Sequence, residues 1–484
     1  MAIETRTPLG ALKRVLLSGS ALAVIAAGSL EVSAQSLRDA LAAAYKTNPR
    51  LDAERARLRA TDEEVARAHS GYRPTISGSA DMGWERRETR PKSGGDGETH
   101  PHGYALNMSQ PVFRGFRTLN AVRIAEATVR AGRETLRTTE QSVLLEAVTA
   151  YMDVVRDTAI VRLRENNVQV LTRELKATQD RFSVGEVTRT DVAQATARRA
   201  AAMSALDLAR SNLQSSRATF ERVIGFSPAG LVDPPPHSRN LPVSQSEAIN
   251  IALARSPSVV AALYREQAAR FTVEQIWGEL LPDVRLDASY TRRYDPSRTV
   301  DDSESATVTG RVNVPLYAAG ETHARVRAAK HTHVSRIQEI EQARTEARAL
   351  AIAAWSRLVA ARAQLQSDMA QVEANRTALA GVREEVKVGN RTVLDVLNAE
   401  QDLLNSEVQL VTTKREIVVA SYNLLSSIGR LEAAELAVTG TVYDPEAHYH
   451  DVRRKWWGIS ITRPDGSRES HDLWPSHGVH SPVK

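Results

Sequence analysis

No cysteine occurs anywhere in the chain, so disulfides, thiolate metal sites, a cysteine nucleophile and lipidation of an N-terminal cysteine are all excluded. Charge of one sign is lacking too: 63 Lys and Arg stand against 58 Asp and Glu, a formal net charge of +5 over 484 residues. Mixed signs, with no clustered Lys/Arg interleaved with aromatics, describe a solvated surface and leave no nucleic-acid footprint. There is no phosphate-cradling Gly loop, HExxH helix or nucleophile elbow, so neither catalysis nor a cofactor is expected. The histidines offer no metal site either. His331 and His333 lie two apart in a helical pattern and point away from each other, while His448, His450, His471, His477 and His480 are spread through a polar tail.

Beyond residue 34 no window approaches the ~20 apolar residues that a membrane-spanning helix needs. Residues 1–34 read as an export signal: Arg6, Lys13 and Arg14 form its basic part, Val15 to Gly28 its apolar core and Val32-Ser33-Ala34 a cleavage site. The mature chain is expected outside the cytoplasm, with no helical means of crossing a membrane.

What the chain does contain is a repeat. Val184-Gly185-Glu186-Val187-Thr188-Arg189-Thr190-Asp191 and Val388-Gly389-Asn390-Arg391-Thr392-Val393-Leu394-Asp395 stand 204 positions apart. Both read as a helix ending, a Gly in a left-handed C-terminal cap, and a Thr-x-x-Asp restart in which side chains satisfy the orphan amides of the next helix. The same offset links Ile224-Gly225 with Ile428-Gly429 and Pro111-Val112-Phe113 with Pro315-Leu316-Tyr317; Asn48-Pro49 and Ser256-Pro257 differ by 208. The expected organisation is a signal (1–34), a first repeat (35–226), a Pro-rich linker (227–243), a second repeat (244–440) and a flexible, dispensable tail (441–484).

Within each repeat the hydrophobic period switches. Residues 36–71 read as a helix and so do 114–182, 190–226 and 318–386, the long runs spanning about 100 Å at ~1.5 Å per residue. Val143, Ala147, Ala150, Val154, Val161, Val168, Leu171 and Leu175 make a heptad-like seam. Between the helices the period becomes two: Ile76, Met82 and Trp84, then Leu106 and Met108, then Leu286 and Ala288, then Val308 and Val312 alternate with polar residues that include Asp81, Asn107, Asp287 and Arg311. Four strands, apolar on one face and charged mid-strand on the other, suit tilted crossings of ~9 to 11 residues. Ile76, Trp84, Leu106, Leu286, Val308 and Val312 are then the lipid-facing positions.

A transmembrane sheet must close, and four strands cannot close on themselves. Several chains would have to share one barrel, with the long helices gathered into a tube below it. At this point the chain resembles the TolC-type outer-membrane channels of Gram-negative bacteria over roughly residues 36 to 440. The resemblance is carried by Ser36-Leu37-x-x-Ala40-Leu41 with Asn48-Pro49, Gln110-Pro111-Val112-Phe113-Arg114-Gly115-Phe116, Val184-Gly185 with Thr190-Asp191-Val192, and Val388-Gly389-x-Arg391-Thr392-Val393-Leu394-Asp395. It implies a mixed α and β membrane protein: a homotrimer with a shared twelve-stranded β-barrel in outer-membrane lipid and a long α-helical hairpin tunnel through the periplasm. It also implies docking at the tips, Val184, Gly185, Val388 and Gly389, with a periplasmic adaptor and an inner-membrane pump or ABC exporter.

The resemblance further implies an entrance closed by links among the tip helices and lined by two acidic rings. Arg391, Thr190 and Asp191 match linking residues, and a linking Tyr falls on Val386. Asp395 matches the first ring; the second falls on the neutral Asn398. Asp395, Asn398 and Asp402 share one helical face at i, i+3 and i+7. The expected function is a passive trimeric duct for small molecules or proteins. A coiled-coil scaffold of the periplasm or cell surface is the alternative, and a self-contained porin is disfavoured by the helices.

Overall fold

A computed structural model describes residues 35–91, 95–462 and 468–469; the expected signal segment and the three tail histidines at 471, 477 and 480 lie outside them. The first half runs α1 (Leu37–Thr47), α2 (Pro49–His69), β1 (Thr75–Met82), β2 (Glu85–Arg87), β3 (Gly97–Thr99), β4 (His102–Arg114), α3 (Arg117–Ser183) and α4 (Arg189–Ile224). The second runs α5 (Gln245–Arg255), α6 (Pro257–Trp277), β5 (Asp283–Ser297), β6 (Val300–Asn313), α7 (Glu321–Lys387) and α8 (Val393–Ser427), followed by α9 (Ala447–Val452). The helices α3 and α7 have 67 residues each.

The helix expected over 36–71 is two helices. A proline excludes the helical conformation at the residue before it, so Asn48 is extended (ψ 117°) and Pro49 opens α2 at its first position. The Asn48 amide then donates to the Val223 carbonyl at the end of α4, 3.2 Å away, which sets α4 and α2 end to end along α3. Ser256-Pro257 breaks α5 from α6 in the same way. Gly429, at φ +73°, lets the end of α8 abut the Arg255 carbonyl, where a Cβ would lie 2.5 Å from the oxygen.

The large apolar core sits where these joints meet. Tyr151, Phe220, Leu358, Leu424 and Ile428 are fully buried in it. The Tyr151 hydroxyl donates to the Val232 carbonyl at 2.7 Å and so pins the proline-rich linker; burial pushes that phenol up to about 12.

The main sheet has the order β1-β4-β5-β6 and is antiparallel throughout. Its register pairs even with even: Ile76 faces Met108, Leu106 faces Tyr290, Ala288 faces Val308 and Val284 faces Val312. The shift between Pro111 and Phe113 is a bulge at a residue pair that includes a proline unable to donate to the ladder. Trp84, expected inside the first strand, instead lies in the link between β1 and β2, because β1 stops at Met82 before Gly83. The expected loop between the first two strands also carries a short ribbon, β2 with β3.

The tail departs from expectation as well. Its first part packs on α2 and α3: Val452 is buried, Tyr449 joins Val65 and Val129, and His448 Nδ1 lies 3.1 Å from the buried Asp62 carboxylate. The missing hydrophobic period had suggested flexibility, but anchoring comes from alternate residues of a short helix and from ion pairs such as Arg133 with Glu446 at 2.5 Å.

Candidate functional site

Two features bear on function: the hairpin tips and the faces of the sheet. At the tips, the Gly185 amide donates to Phe182 and the Glu186 amide to Arg181, while the Gly389 amide donates to Val386 and the Asn390 amide to Glu385. These closures need φ +82° and +81°, which glycine adopts without strain. The next helix starts with a capping box in each case. Thr188 and Thr392 accept from the amides of Asp191 and Asp395, whose carboxylates bond back to the threonine amides at 2.8 and 2.9 Å. These bonds hold the Asp191 and Asp395 carboxyls below their usual range. Val184 and Val388 are about 70% and 71% exposed, and open space surrounds Gly185 and Gly389.

Within one chain the linking residues Arg391 and Asp191 read from the sequence bond to neighbours in their own hairpins. Arg391 bonds Glu385 at 2.9 Å and approaches Asp395 at 4.0 Å, both in its own hairpin, rather than Thr190 or Asp191. Asp191 is taken up by its capping box, and Thr190 is exposed on the first turn of α4. The bond that does join the hairpins at this end runs from Arg198 Nη2 of α4 to Asn398 Oδ1 of α8, 2.9 Å. Beside it, Leu171, Ala202 and Leu397 form a small apolar cluster. Asp402 is exposed, its backbone carbonyl accepting from Asn375.

Sequence reasoning missed Glu400, a buried acid that accepts from Arg383 at 2.6 Å. Burial pushes its carboxyl upward and the Arg383 guanidinium opposes that shift. Its position in the seam of Val396, Leu397 and Leu404 was the available signal.

Of the candidate lipid-facing residues on the sheet, Ile76, Leu106, Leu286, Val308 and Val312 share one face and are exposed; Trp84 is exposed beyond it. The opposite face is a polar network. Asp287 accepts from Ser109 at 2.7 Å and lies 3.3 and 3.6 Å from Arg285 and Arg311, while Arg293 reaches Asp81 at 3.2 Å. Below the sheet, a groove of about 700 Å³ lies on one face of the helical wall, lined by small and polar residues of α2, α3, α6 and α7 such as Thr128, Ala131, Thr135, Thr272 and Arg336. Among the described residues no group of three or more His, Asp or Glu is placed to hold a metal, and no helix is long and apolar enough to cross a membrane.

Paired helical hairpins hung from a four-stranded sheet that is apolar on one face and charged on the other are the features of an outer-membrane efflux channel chain. The chain belongs to the outer membrane efflux protein family, whose model matches residues 40–226 and 248–430, and it is an outer-membrane protein. It is 40% identical over 453 residues to the outer membrane efflux protein BepC of Brucella suis biovar 1, covering 93% of this chain and 96% of BepC. To the alkaline protease secretion protein AprF of Pseudomonas aeruginosa it is 25% identical over 343 residues, 68% and 70% of the two chains. Among solved structures, the CmeC outer-membrane channel of Campylobacter jejuni superposes with a TM-score of 0.75 at 16% identity, over 86% of this chain and 89% of CmeC.

Proposed function

We propose that three copies of this chain form a passive duct across the periplasm and outer membrane, exporting small molecules or proteins delivered by a periplasmic adaptor and an inner-membrane pump or ABC exporter. The observation that carries this reading is the sheet: β1 and β6 are its edge strands, each unpaired on its outer side among the described residues, and one face of the sheet is apolar. Unpaired edges are not tolerated in hydrocarbon, so other copies must supply the missing ladders. Two copies would give eight strands, an interior that side chains fill; three give twelve and leave room for a lumen lined by the Asp287 and Asp81 networks.

In this reading the two halves are a tandem repeat, the groove beside Thr128 and Arg336 faces the duct, and the tips carrying Val184, Gly185, Val388 and Gly389 meet the adaptor. Thr190, Asp191, Arg391, Asp395, Asn398 and Asp402 line the entrance, where a bond from Arg391 to a neighbouring subunit would have to replace its pairing with Glu385 in its own hairpin. The relatives named for efflux and for protease secretion support a shared duct serving either cargo. The test is extraction: heat-modifiable trimers that require detergent and conduct ions in planar bilayers are expected. A detergent-free soluble rod without conductance would overturn the reading in favour of a scaffold.

A further inference from the structure

The tail beyond α9 carries an apolar surface that nothing in the duct function uses. Trp456 and Trp457 are 68% and 89% exposed, and Ile459 is 61% exposed. Isolated exposed tryptophans are costly to leave in water, and two adjacent ones beside an exposed isoleucine form a patch that calls for an apolar or interfacial neighbour.

Where the patch sits identifies that neighbour. The Arg73 guanidinium donates to the Lys455 carbonyl at 2.7 Å and stacks on the Trp456 ring at 4.7 Å. Arg73 immediately precedes Pro74 and β1, so the patch is fixed at the junction where helix gives way to strand. All four such junctions of the main sheet carry an exposed aromatic: Tyr72 before β1, Phe116 after β4, Trp277 before β5 and Tyr317 after β6. Aromatic residues collected at one level, next to an apolar strand face, mark the plane of a membrane surface.

The direction of the patch follows from α3. The tail meets Glu126, Val129 and Arg133, whereas Thr128, Ala131 and Thr135 line the groove. At 3.6 residues per turn these two sets fall on opposite faces of the helix. The tail therefore lies on the side away from the proposed lumen. Arg454 and Lys455 bring positive charge beside the tryptophans, complementary to anionic headgroups.

We infer that residues 454–459 are an interfacial anchor, with Trp456, Trp457 and Ile459 inserted at the headgroup level of the periplasmic leaflet of the outer membrane and held in place by Arg73. This rests on the proposed reading of the sheet as membrane-embedded and of the groove as facing the duct. The occupant is a phospholipid surface containing an anionic component, and each trimer would present three such anchors around the barrel base.

Because the chain has no cysteine, a single introduced cysteine can carry a nitroxide without background. Ile459→Cys, Val308→Cys and Leu208→Cys, the last on exposed α4, are labelled in the full chain reconstituted into phosphatidylethanolamine and phosphatidylglycerol vesicles. Collisions with lipid-soluble oxygen and with a water-soluble nickel chelate report depth. The anchor requires oxygen-dominated accessibility at 308 and 459 and nickel-dominated accessibility at 208. Adding Trp456→Ser and Trp457→Ser to Ile459→Cys should return that label to the nickel-dominated state. Oxygen dominance at 308 with nickel dominance at 459 overturns the anchor and leaves the barrel standing. A label at 459 shielded from both reagents also overturns it, in favour of burial against a second copy of the chain. Nickel dominance at 308 removes the membrane-embedded sheet, and the anchor with it.

Discussion

Replacing Arg198 with alanine tests whether the entrance is held by contacts between the two hairpins of one protomer. The Arg198 to Asn398 bond, 2.9 Å long, is the tip contact that ties α4 to α8. The bond is open to water although Arg198 is half-buried, so one copy contributes roughly 0.5 kcal/mol, within the range for surface charge-assisted pairs. Threefold symmetry would raise the loss to about 1.5 kcal/mol, close to tenfold in the ratio of closed to open entrances. Single-channel recording in planar bilayers should therefore show Arg198→Ala dwelling about tenfold more in high-conductance states, with trimer yield unchanged. Arg391→Ala is the control, since its partners Glu385 and Asp395 belong to its own hairpin. Unchanged dwell times for Arg198→Ala, together with opening by Arg391→Ala, would refute the intraprotomer latch and place the restraint between subunits.

On the sheet, Val308→Arg should cost about 2 to 4 kcal/mol at a lipid-facing position and Thr309→Arg, on the opposite face, far less; equal yields of heat-modifiable trimer would contradict the facing. At the tips, Thr392→Ala removes a helix cap and should loosen the first turn of α8 by about 1 kcal/mol, read as faster amide exchange there. The Asp191 and Asp395 carboxyls lie below their usual range, so their support is present at neutral pH and is lost as pH falls through those depressed values. Glu400 has the opposite sign, its raised carboxyl favouring the native state as pH falls; tip exchange that is flat with acidification would count against the capping boxes. Truncation after Thr441 removes the contacts of Val452 and Tyr449 and should cost about 2 to 3 kcal/mol of local packing, seen as a lower melting temperature; an unchanged melting curve would make the docked tail energetically irrelevant.

What could be read from the sequence was what depends on local rules. Gly185 and Gly389 announce a backbone only glycine adopts freely, and Thr-x-x-Asp announces a reciprocal cap, so the tips were legible to within a residue or two. The strands were legible through their period of two, apart from Trp84, where the alternation ran past the point at which Gly83 and the ribbon of β2 and β3 take over. Partners across the fold were not legible. Arg198 meets Asn398 only because two hairpins pack side by side, and nothing in either local sequence says so. The tail failed for a related reason: six helical residues are too few to show a period, and its fixation depends on Asp62, Arg133 and Arg73, three sites far upstream.

The distribution of buried side chains says which part of the tunnel can move. Around the helix joints the seam is large and apolar, with Tyr151, Phe220, Leu424 and Ile428 shut away from water. From there to the tips, over about 30 Å of α8, a thinner apolar seam of Leu171, Leu379, Leu397 and Leu404 is interrupted by small or polar buried positions: Asn167 and Thr178 on α3, Ala195 and Ala202 on α4, Ser406 and Thr413 on α8. Thr413 donates to Asp368 at 2.5 Å, and Glu400 takes Arg383. Such a mixed seam has less apolar area to lose than the joints when helices slide, and its polar groups can exchange protein partners for water at modest cost. An entrance could then open by rearranging the tip-ward third of the hairpins while the apolar core keeps the subunit folded. In the proposed duct such opening would need only an energy of the size a docking protein supplies through a few contacts at the tips, and no unfolding of the helical hairpins.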